Sequence, residues 1–82
     1  MRWGDGVQFS KEAVGRTIRA LRREKGLSQD VVSGLAGIGR THLTMIENGN
    51  KQANFETLWK IALAFDLRPS ELVARIEREA GL

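Results

Sequence analysis

Cysteine is absent from the 82-residue chain, which excludes a disulfide framework and any thiolate metal site and leaves the core to stabilise the fold unaided. A cytoplasmic protein is therefore expected. Histidine occurs once, as His42, with no second His or Cys at ligand spacing, so neither a metal nor a cofactor is expected. Tyrosine, a P-loop, an HExxH motif and paired carboxylates in a plausible cleft are all missing, which leaves little for acid–base or nucleophilic work. An enzyme is not expected. Proline appears only at Pro69 and alternating β-branched runs are lacking, so helices should dominate. The longest strongly apolar stretch runs from Ile61 to Phe65, far too short to cross a bilayer, and MRWGDGVQFS has no signal-peptide run. No membrane role is expected.

What is present is ordinary globular composition, 28% charged and 41% hydrophobic, in a length that suits one small domain. Thirteen basic against ten acidic residues give only +3, a weak argument for an anionic partner by itself. The distribution says more. Residues 1–53 carry nine basic and five acidic side chains and residues 54–82 four and five, which puts any anion-facing surface in the first two thirds. Arg16, Arg19, Arg22, Arg23 and Lys25 can equally be the solvated face of a helix.

Residues 1–10 read as a tail and 11–82 as the domain. Ser10 can cap a helix in which Val14, Ile18 and Leu21 point inward, ending at Lys25-Gly26. Ser28 offers a second cap, with Val32 and Ala36 inward and Gly37 as the stop. A third short helix lies between Gly39 and Asn48 with Leu43 and Ile46 inward, closed by Gly49. Asn54 can cap a fourth, with Leu58, Ile61, Ala62 and Phe65 as its apolar stripe, and Pro69 opens a fifth on which Leu72 and Ile76 continue inward.

Between Gln29 and Ile46, the order Val32, Ser33, Ala36, Gly37, Ile38, Leu43, Ile46 describes two short helices packed at a steep angle. A small residue at 33 allows close crossing, and Gly37 permits positive φ at the corner. Structural αα-corners use similar residues, so the spacing alone leaves a corner without DNA binding open. The segments IRALRREKGLSQ, AGIGRTHLTMIENG, ETLWKIALAFDL and PSEL, in this order and spacing, make the chain from Val14 to Leu72 resemble the phage-repressor-like helix-turn-helix family, the Cro/cI or XRE group. Small controller proteins of restriction systems and antitoxins share this single-domain plan. The resemblance implies an all-α fold, a compact five-helix lambda-repressor-like domain with the helix-turn-helix formed by helices 2 and 3. It further implies a double-stranded DNA partner, with the third helix in the major groove and a homodimer on a palindromic operator.

By position, the resemblance assigns base reading to Arg40, Thr41, Thr44 and Met45. Arginine can fork onto guanine O6 and N7, and the threonine and methionine methyls can pack on a thymine methyl. Phosphate contacts fall to Gln29, His42, Asn48 and Lys51, with plain solvent exposure the alternative for His42. Arg22 and Glu47 match an ion pair tying the first helix to the third. Departures are Gly39 for the usual Ser/Thr, Ser33 for alanine, the apolar Met45, and Gly34, which weakens its helix by about 0.8–1 kcal/mol relative to alanine.

Trp59 and Leu63 on the fourth helix and Val73 with Ile76 on the fifth form spare apolar stripes, which are expected to build a homodimer interface. The alternative is that Trp59 covers the tail, against Trp3 and Phe9. Two functions stay open: a sequence-specific transcriptional regulator, or a helix-turn-helix protein-interaction adaptor or antitoxin-type partner-binding protein. Retention on duplex DNA at low salt separates them.

Overall fold

The computed structural model describes residues 9–82, and they contain five α-helices and no strand. Trp3 and the rest of the expected tail through residue 8 lie outside the described residues. The helices are α1 (Lys11–Glu24), α2 (Gln29–Ala36), α3 (Arg40–Glu47), α4 (Phe55–Ala64) and α5 (Pro69–Glu79).

Local chemistry sets the starts. Ser10, Ser28 and Asn54 sit in extended backbone, and their side-chain oxygens accept from the N–H groups of Ala13 (3.0 Å), Val31 (3.1 Å) and Thr57 (2.8 Å). Each satisfies a donor that the first helical turn leaves open. At α5, Pro69 has no N–H and needs no acceptor, and the Glu71 carboxylate accepts from the Arg68 backbone N–H at 2.7 Å. Gly39 supplies extended backbone before α3 but no side-chain bond.

The inward stripes meet in one core. Ile18, Val32, Leu43, Ile46, Ile61 and Leu72 are fully buried, with Phe65 among them, and each such side chain contributes about 1.5–3 kcal/mol on leaving water. The α1 helix packs on α3 and α5, α2 on α3 and α4, and α4 on α5. Leu58 and Ile76 reach the same core partly buried.

Two turns decide the geometry around α3. Between α2 and α3, Gly37 adopts φ 70°, its N–H donates to the Gly34 carbonyl and the Ile38 N–H donates to the Ser33 carbonyl at 3.0 Å. That pairing closes the carbonyl end of α2 and turns the chain sharply. On the other side of α3, α1 approaches so closely that a Cβ on Gly15 would stand 2.3 Å from the Ile46 carbonyl oxygen. Glycine is required there by contact, not by its φ.

Candidate nucleic-acid interface

The α2–α3 corner presents one side of α3 outward while its other side is anchored. Leu43, Ile46 and Glu47 are buried, whereas Arg40, Thr41 and Met45 are exposed and His42 and Thr44 half-buried. This division follows from eight residues wound as a helix with apolar side chains three apart at 43 and 46.

A buried carboxylate organises the corner. The Glu47 side chain has no exposed surface and is neutralised from α1, where Arg22 Nε donates to Oε2 at 2.7 Å and Arg22 Nη2 to Oε1 at 2.9 Å. Such a fork is the geometry guanidinium and carboxylate favour. Arg19 Nε adds a second charge 3.6 Å from Oε1, and Gln29 Nε2, from the start of α2, donates to the same oxygen at 3.1 Å. Burial alone would push the Glu47 carboxyl up. The hydrogen bonds from Arg22 and Gln29 and the two nearby charges outweigh it and hold the group below the usual carboxylate range. Arg22 also donates to the Leu27 carbonyl at 3.1 Å, so the side chain spans the α1–α2 turn as well.

The network continues outward from Gln29. Its Oε1 accepts from the Thr44 hydroxyl at 3.0 Å, and the same hydroxyl lies 3.0 Å from the Arg40 carbonyl. Gln29 therefore spends one N–H and its carbonyl within the fold and keeps one N–H. Arg40 reaches back across the turn to Asp30, with Nη1 3.3 Å from Oδ1, and both side chains are well exposed. Exposure makes this a weak tether, on the order of 0–1 kcal/mol. Asn48, just past α3, is exposed and accepts from Arg19 through Oδ1, which leaves its amide N–H groups uncommitted by that bond. Lys51 is exposed in the loop that follows.

On α4, Trp59 and Leu63 stand 48% and 59% exposed, and on α5 Val73 is 37% exposed. Ile76, expected both to point inward and to join the spare stripe, follows the inward reading. It is partly buried and packs against the core, because the same face of α5 that buries Leu72 reaches it one turn later. Phe9, the described member of the aromatic pair in the alternative reading of Trp59, is itself 64% exposed. A different aromatic meets the indole: Phe55 packs edge-on to Trp59 with ring centroids 5.9 Å apart. Sequence reasoning missed Phe55, although its place one turn before Trp59 was a signal. It also missed Arg19, which shares a helix face with Arg22, and Asp30, whose partner lies across a turn that no periodicity reveals.

A sharply turned pair of short helices, with the second anchored inward by Leu43, Ile46 and Glu47 and polar outward, defines a helix-turn-helix domain. The helix-turn-helix family model matches residues 18–72, and the chain belongs to that family, of the XRE type, whose members are DNA-binding transcriptional regulators. It is 35% identical over 63 residues to the HTH-type transcriptional regulator y4dJ of Sinorhizobium fredii, covering 77% of this chain and 82% of that one. Control protein C.MunI of a Mycoplasma species is also 35% identical, over 66 residues, 79% of this chain and 89% of that one. Among solved structures, the restriction-modification controller protein C.AhdI of Aeromonas hydrophila superposes with a TM-score of 0.72 at 34% identity, over 76% of this chain and 94% of that one. No helix of the described residues is long and apolar enough to cross a membrane.

Proposed function

We propose that this chain is a sequence-specific transcriptional regulator that binds a palindromic double-stranded operator as a homodimer, with α3 in the major groove. The observation that carries the reading is the division of α3 into an anchored side and an outward polar side. Its likeness to a control protein and a restriction-modification controller protein favours regulation of the controller type, acting in the cytoplasm where the DNA is.

In this reading Arg40 leaves its exposed tether to Asp30 for a guanine edge, and Thr41, Thr44 and Met45 complete the base-reading set. The remaining N–H of Gln29, the amide N–H groups of Asn48, and His42 and Lys51 hold phosphates and set register. Trp59, Leu63 and Val73, with Ile76 at the margin, bury against a second copy. A two-fold axis there would set two α3 helices roughly 34 Å apart, one turn of DNA.

Selection of bound duplexes from a random library tests it. A two-fold symmetric motif should be enriched, with affinity that falls steeply as salt rises. Absence of retention at low salt refutes DNA binding and supports the adaptor; a motif without symmetry refutes the homodimer.

A further inference from the structure

We infer that Thr44 determines specificity as a hydrogen-bond acceptor, reading the exocyclic amino group of an adenine or a cytosine in the major groove. The inference rests on the DNA-binding reading above and adds to it the polarity of one contact.

The polarity originates at the buried carboxylate. Glu47 is held ionised by Arg22 and Arg19, so both its oxygens accept and neither donates. Whatever Gln29 turns toward Glu47 must therefore be its NH2, and that is the observed contact at 3.1 Å. The opposite orientation would aim a carbonyl oxygen at a carboxylate in a dry site, an uncompensated repulsion. With the NH2 committed inward, the Gln29 carbonyl faces Thr44.

Thr44 then has two neighbours, the Gln29 carbonyl and the Arg40 backbone carbonyl, each at 3.0 Å and each an acceptor. A hydroxyl has a single proton. That proton goes to one of them, and nothing remains to donate outward. What the half-buried hydroxyl still offers is lone-pair density. In the major groove the complementary groups are adenine N6 and cytosine N4; the N7, O6 and O4 atoms are acceptors and do not fit. The ion pair thus fixes a recognition polarity through two side-chain hydrogen bonds, with Glu47 and Gln29 as positioning residues that need not touch the base.

The test uses the operator enriched by selection, with single bases replaced by analogues. One set lacks the exocyclic amino group, as purine does in place of adenine; the other replaces N7 by carbon, as 7-deazapurines do. At one pair, loss of the amino group should weaken wild-type binding about three- to tenfold. The same analogue should leave Thr44→Val binding unchanged, while Thr44→Ser, which keeps the hydroxyl, should retain the wild-type penalty. Replacement of N7 should cost the wild type and Thr44→Val equally at every position. Three outcomes overturn the inference: an N7 penalty that vanishes in Thr44→Val, amino-group penalties that persist unchanged in Thr44→Val, or Thr44→Ser behaving as Thr44→Val. Failure to enrich any duplex refutes the DNA-binding reading and this inference with it. An enriched operator with Thr44-independent penalties refutes the inference alone.

Discussion

Two helical glycines should respond in opposite directions to the same added methyl. Alanine is favoured over glycine in a helix interior by about 0.8–1 kcal/mol, whatever the helix packs against. At Gly34 a Cβ would meet nothing within 4 Å beyond its own stretch of helix backbone, so Gly34→Ala should stabilise by most of that amount and raise the midpoint by roughly 4–6 °C. At Gly15 the Cβ would stand 2.3 Å from the Ile46 carbonyl oxygen and 2.7 Å from that of Glu47, where ordinary contact begins at 3.4 Å. Both obstacles are backbone atoms that cannot rotate aside, so α1 and α3 must part by about an ångström, and such overpacking costs about 1–3 kcal/mol or more. The upper part of that range applies, and after the propensity gain Gly15→Ala should lose about 2 kcal/mol, or roughly 10 °C. Thermal unfolding followed by helical circular dichroism, with urea titration as a check, reads both variants. Equal shifts for the two, or a Gly15→Ala protein as stable as the wild type, would refute the reasoning.

Acid should act through Glu47. Its folded pKa lies below its unfolded value, so its stabilising contribution is complete above the ordinary carboxylate range and drains as pH falls below about 4. Denaturation midpoints should show a smaller acid loss in Glu47→Gln than in the wild type, and parallel curves would rule the group out. Arg22→Ala and Glu47→Ala should each cost more than half of what the double change costs, since either one alone strands a partly buried charge; additivity in the double-mutant cycle contradicts this. For the dimer, Leu63→Asp is the chosen probe because Leu63 is exposed and Ile76 supports the core. Sedimentation should give a folded monomer with much weaker operator binding, and a monomeric wild type at micromolar concentration sinks the interface.

Helix starts were legible because each is local: Ser10, Ser28 and Asn54 announce caps without knowledge of the rest of the chain. So were the inward residues, which periodicity alone selects. The end of α4 was not, because Asp66 takes the left-handed position (φ 59°) that glycine fills at Gly26, Gly37 and Gly49, and an aspartate there carries no unmistakable sign. Asp66 succeeds because the Leu67 N–H still reaches the Ala62 carbonyl at 2.9 Å. Gly15 resisted for a different reason. Its role is the approach of a helix distant in sequence, and a mid-helix glycine reads the same whether space or contact surrounds it. The outward positions of α3 were legible through the resemblance, but the hydrogen-bond polarity around Thr44 was not. That depends on which atom of Gln29 faces which neighbour, a property of three helices together.

The Glu47 network also explains how so small a domain holds α3 steady. Apolar contact among Val32, Leu43 and Ile46 is strong but non-directional, and a helix of eight residues resting on it alone could rotate or slide at little cost. The Arg22 fork ties α3 to α1, and Gln29 ties it to α2, with bonds that weaken when angles change. Replacing such an ion pair by a well-packed apolar group need not reduce stability, because desolvation of both charges offsets most of their attraction. Its value lies in orientation: the bonds that hold Glu47 tie α3 to both α1 and α2, so any shift of α3 relative to those helices would first have to break a buried, charged contact. Scaffold and outward side of α3 are therefore mechanically one unit.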